Sequence, residues 1–125
     1  MRKSTLAIFF SGLWITVSEF LRNEILFKNY WIEHYEFLGL EFQTRPLNGI
    51  LWLVWSFILA YLIFQLLQKF SFKQSVLLAW LGAFVLMWIT IYNLQVMPTA
   101  LLIFAIPLSL LEAYLAAAII KKINK

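Results

Sequence analysis

ALLIFAIPLSLLEAYLAAAII, residues 100–120, is long enough to cross a bilayer as a helix and carries a carboxylate, Glu112, near its middle. Crossing about 30 Å of hydrocarbon takes roughly 20 helical residues. A charge at that depth costs about 2.5–3.5 kcal/mol on insertion scales, so Glu112 is expected to face protein or water rather than lipid. A second apolar stretch, residues 6–27, carries Glu19, Arg22, Asn23 and Glu24 in its second half. Together the two stretches predict a small membrane protein with a polar interior.

The rest of the chain agrees with that class. Of 125 residues 63% are hydrophobic and the mean hydropathy is +0.84, against about 45–50% apolar in a soluble domain. No Cys is present, which excludes disulfide scaffolds, thiolate metal sites and thiol redox chemistry. A lone His, His34, argues against bis-His haem or a multi-His zinc site within one chain. No cofactor and no metal are expected. The net charge is +4, but the bases cluster at the ends of apolar stretches, as topology signals do, and not along a face that would hold nucleic acid. Arg2 and Lys3 before residues 6–17 imitate a signal peptide, yet Ser18, Glu19, Phe20, Leu21 and Arg22 offer no small-x-small cleavage site. The segment is expected to persist as a first helix.

Four segments have spanning length: about 5–28, 48–70, 72–96 and 98–120, with ends uncertain by about two to four residues. The predicted fold is an all-α integral membrane protein, a single four-transmembrane-helix domain covering residues 1–125. Helices two and three join through a short turn at residues 69–73, and three and four at Met97-Pro98-Thr99, so each pair forms an antiparallel hairpin. Pro98 suits a first helical turn, where its missing N–H is not needed. The link over residues 29–47 holds Tyr30, Trp31, His34, Tyr35, Phe37 and Phe42 among Glu33, Glu36 and Glu41. That aromatic content predicts a short interfacial helix between helices one and two. Arg2, Lys3, Lys69, Lys73, Lys121, Lys122 and Lys125 fall on one side, opposite Lys28 and Arg45, so the positive-inside rule places both termini in the cytoplasm.

At 1.5 Å per residue, Glu19 lies about 20 Å from the start of helix one and Glu112 about 13 Å from the end of helix four. The polar residues therefore gather in the outer half. Glu19, Arg22, Asn23 and Leu26 share one helical stripe with Gly12 and Thr16. Ala105, Ser109, Glu112 and Ala116 share another, a small-residue surface that permits close helix approach. Pro107 is expected to kink helix four one turn before Glu112. Asn48, Trp52 and Trp55 share a face of helix two, and Asn93 lies near the outer end of helix three. The candidate ligand-binding set is Glu19, Arg22, Asn23, Asn48, Trp52, Trp55, Asn93 and Glu112. These suggest a cavity opening outward, floored by Glu112 and walled by Trp52 and Trp55. Arg22 has two possible carboxylate partners, Glu19 and Glu112, and such a pair can also serve only to fix helix register. The Glu33-His34-Tyr35-Glu36 run is a weak metal signal, because a helix scatters adjacent residues around its circumference.

Catalytic signatures are missing. The sequence has four Gly and no phosphate-cradling loop, no nucleophile elbow, no HExxH and no Asp. Three functions fit: a protein that binds, and in one version transports, a small or lipophilic ligand; an accessory subunit of a membrane complex or a homo-oligomer; and an intramembrane enzyme with Glu19 and Glu112 as acid and base and Arg22 as electrophile. The expected surroundings are the lipid bilayer, with a small lipophilic ligand or a partner membrane subunit, and no nucleic acid.

Overall fold

The structure, a computed structural model, describes residues 2–41 and 46–124. Phe42, Arg45 and Lys125, which enter the sequence argument, lie outside the described residues. Helix α1 spans Lys3–Leu26 and ends in a π-helical segment, Leu21–Leu26. Helix α2 is Lys28–Phe37 and α3 is Pro46–Lys69. Helix α4 covers Phe72–Asn93 with a π-helical segment at Leu81–Val85, and α5 covers Thr99–Ile123, opening with the 3-10 turn Thr99–Leu101. No strand occurs among the described residues. Helices α1, α3, α4 and α5 are the four that are long and apolar enough to cross a membrane.

The ends follow local chemistry. Ser71 caps α4: its Oγ accepts from the Gln74 N–H at 3.2 Å, and Gln74 Oε1 accepts from the Ser71 N–H at 3.2 Å, a capping box that makes the tight α3–α4 turn. Helix α2 ends at Gly39, whose φ of +75° places it in the left-handed region, and the Gly39 and Leu40 N–H groups return to the Glu36 and Tyr35 carbonyls. Helix α4 ends the same way, three residues earlier than its apolar run suggests. There Gln95 takes φ +64° without the freedom of glycine, and the Gln95 and Val96 N–H groups bond the Tyr92 and Ile91 carbonyls.

Packing forms a ring. Helix α1 lies against α3 and α5, α4 lies against α3 and α5, and α3 and α5 touch across the short diagonal. Gly12 sets the α1–α3 distance, since a Cβ there would meet the Phe57 ring at 2.5 Å. On the other side, Ser11 Oγ donates to the Ala116 carbonyl and Trp14 Nε1 to the Glu112 carbonyl, both at 3.0 Å. Such approach requires the small residues of α5: Ala105, Ser109, Ala113, Ala116 and Ala117 are all buried. One apolar core joins Ala7, Ile15, Ile63, Phe84, Ala116 and Ile120; a smaller one joins Phe27, Leu101 and Ala105 beneath Tyr30 and Trp31. The buried charges lie between them.

The outer surface is inverted relative to a water-soluble bundle. In the most apolar window of each long helix only 22–39% of residues are buried, and Phe9, Phe10, Val17, Ile50, Leu86 and Ile103 are among many large exposed side chains. Apolar surface on that scale suits a hydrocarbon surrounding, and the architecture is compatible with a multi-pass membrane protein.

Candidate functional site

Glu19 and Arg22 come from α1 and Glu112 from the midpoint of α5. Their exposures are 4%, 7% and 1%. Arg22 answers both carboxylates unequally. Its Nη2 donates to Glu19 Oε1 at 2.5 Å, whereas Nη1 stands 3.6 Å from Glu112 Oε1 without a hydrogen bond. The second Glu19 oxygen accepts from Asn23 Nδ2 at 2.9 Å, and Trp31 Nε1 of α2 donates to Asn23 Oδ1 at 3.3 Å. A polar chain thus runs from α2 through Asn23, Glu19 and Arg22 towards Glu112. The guanidinium also lies over the Phe84 ring, 5.1 Å from its centroid, a cation–π contact strengthened by desolvation.

The two π-helical segments sit where this cluster is built. In the first, the Phe27 N–H bonds the Arg22 carbonyl at 2.8 Å, five residues back. The extra residue re-aims the end of α1, and Leu26, which ideal spacing puts on the Glu19 stripe, is instead 58% exposed. The second carries Phe84, buried against Arg22, Trp55 and Trp88. Such segments are frequent at functional sites.

Glu19 is fully partnered; Glu112 is not. Among the described residues, neither Glu112 oxygen accepts a hydrogen bond and Arg22 Nη1 donates none. An ion pair at about 4 Å is worth about 4 kcal/mol at an effective dielectric of about 20, while desolvation costs several kcal/mol per ion. One loose contact therefore leaves the Glu112 carboxylate undercompensated.

The remaining candidates separate. Trp55 packs edge-on against Phe84 and Trp52, with ring centroids 5.8 and 5.5 Å away. Trp52 is 40% exposed on the outer surface, so the two tryptophans do not wall an open cavity. Glu112 is 1% exposed, and Phe27, Leu101 and Ala105 form a separate apolar group nearer α2. Asn48 stands half-buried in the first turn of α3, its Oδ1 without a donor. Asn93 is exposed at the end of α4 and lines a separate pocket of about 500 Å³ with His34, Tyr92, Gln95 and Thr99. His34 Nε2–H donates to the Gln95 carbonyl at 3.1 Å, latching α2 to the α4–α5 turn. Among the described residues, no group of three metal-ligating side chains comes together.

No family model, characterised protein or solved structure matches this chain. The geometry alone must carry the functional reading.

Three contributors escape the sequence argument. Trp14, Trp31 and Phe84 contact the cluster or its backbone, yet each is one aromatic among many. Trp80 donates from Nε1 to Ser109 Oγ at 2.9 Å, and Ser109 Oγ donates to the Ile106 carbonyl beside Pro107.

Proposed function

We propose that this chain is a four-span membrane protein that binds a small ligand at Glu112, inside the bundle. The supporting observation is the pair of unpartnered Glu112 oxygens, 1% exposed, facing an equally unpartnered Arg22 Nη1. Buried polar atoms are nearly always hydrogen-bonded, and an intramembrane charge left unsatisfied marks a functional position by default. In this reading α2 lies in the interface with Glu33 and Glu36 outward and Tyr30, Trp31 and His34 turned to the bundle. Arg2, Lys3, Lys69, Lys73, Lys121 and Lys122 face the cytoplasm. Lys121 lies over the Phe72 ring at 5.2 Å, which brings the end of α5 beside the start of α4.

An accessory-subunit role draws less support. The small-residue stripe of α5 that would receive a partner helix is already buried against α1 and α4.

Native mass spectrometry of protein extracted gently from its own membrane tests the reading. A retained small molecule is expected in the unmodified protein and its loss in Glu112→Gln. An identical adduct in both, or none in either, would overturn it.

A further inference from the structure

With all three of its charged groups ionised the cluster does not balance, and the ligand inferred here is the one that would restore the balance. Resting on the binding site proposed above, we infer that the ligand is a lipophilic organic cation carrying N–H donors, a long-chain ammonium, whose head group pairs with Glu112 while its tail remains among apolar side chains or lipid.

Counted as ionised, Glu19, Arg22 and Glu112 total −1. Within that sum Glu19 and Arg22 form a closed pair. Arg22 Nη2 holds one Glu19 oxygen at 2.5 Å and Asn23 Nδ2 holds the other at 2.9 Å. With all three ionised, the surplus negative charge would be that of Glu112, whose only ionic contact with a base among the described residues is 3.6 Å long. Its two oxygens lack donors. A primary ammonium supplies three donors and one positive charge and has no acceptor to satisfy.

The competing chemistries fit less well. An anion would add to the surplus in a low-dielectric interior. A hydroxyl could bridge Glu112 and Arg22 Nη1 but would leave the charge uncompensated. A metal ion asks for several oxygen ligands, and the Glu19 oxygens are already held by Arg22 and Asn23.

Three amphiphiles with one tail and different heads isolate the head-group effect: dodecylammonium, dodecanol and dodecanoate. Each is titrated at neutral pH into the purified unmodified protein, with one-to-one adducts counted by native mass spectrometry. Dodecylammonium is expected to bind at least tenfold more tightly than either of the others. Its binding should weaken at least tenfold in Glu112→Gln and persist in Glu36→Gln, which removes an exposed carboxylate on α2. Circular dichroism checks that Glu112→Gln retains its helix content; the comparison of head groups on the unmodified protein needs no variant. Dodecanol binding as tightly as dodecylammonium, and lost in Glu112→Gln, would overturn the cation while keeping the site. Sodium chloride alone protecting the protein from unfolding through Glu112, with no preference for the ammonium, would overturn the lipophilic cation too. Equal binding of all three heads, unaffected by Glu112→Gln, would overturn both the ligand class and the site.

Discussion

Arg22 connects two helices, a carboxylate it holds firmly and one it holds loosely. Removing it strands two buried carboxylates, and breaking a buried pair from one side typically costs about 3–5 kcal/mol. Arg22→Met is therefore expected to lower the unfolding midpoint in detergent far more than Glu24→Gln, whose partner Lys28 is 3.9 Å away and half-exposed. Gly12→Ala should cost about 1–3 kcal/mol by overpacking, because the added Cβ meets Phe57 ring atoms at 2.5–2.9 Å. Thermal denaturation of the three variants beside the unmodified protein measures both effects. The charged residues and Asn23 were legible because a charge within an apolar run has few explanations and helical spacing puts neighbours on one stripe. Phe84, Trp14 and Trp31 were not. Their roles depend on contacts between distant segments, and no spacing rule picks one aromatic from twelve Phe and six Trp.

Helix lengths and the two tight connections could be read from apolar runs and turn residues, since a bilayer fixes the first and the turn at residues 69–73 and Pro98 mark the second. The π-helical segments could not, because periodicity assumes a constant turn and each segment departs from it. Helix α4 ends three residues before its apolar run does, within the margin given to its ends, because Gln95 adopts φ +64°, which its sequence does not announce. A left-handed residue with a side chain costs about 1–2 kcal/mol, a penalty that Asn partly escapes through local hydrogen bonding. Gln95→Asn should consequently stabilise the fold by about 0.5–1 kcal/mol, seen as a higher unfolding midpoint. Helix α2 contains no fully buried residue and depends on a few polar ties. Trp31→Phe keeps the ring but removes the N–H that reaches Asn23. Amide hydrogen exchange in α2 should rise in that variant, with exchange in α3 unchanged; equal protection in both proteins would show that the tie carries no weight.

For the whole molecule, the alternation of spans followed from four apolar segments and two tight turns. Their arrangement around the ring did not, because the long link before α3 permits more than one order of neighbours. The side of the membrane is a further expectation that the natural absence of cysteine makes easy to check. In single-cysteine variants at Ser4, Ser71 and Asn124, a membrane-impermeant maleimide should label from the cytoplasmic side alone, and a cysteine at Glu36 from the opposite side alone. Labelling of Ser71 and Glu36 variants from the same face would refute the topology. The closure of the interior has a consequence for timing. On the binding reading proposed above, a head group can neither reach nor leave Glu112, 1% exposed, until the helices part, and the loosely tied α2 over Phe27 and Leu101 is the natural place for them to do so. Association should then fall far below the diffusion limit, as it does when binding waits on a conformational change, and level off at high concentration at the rate of opening. Trp31→Phe should raise that plateau. Residence would be long even where affinity is modest, so a slow clock, rather than a tight grip, would be the kinetic signature of this site.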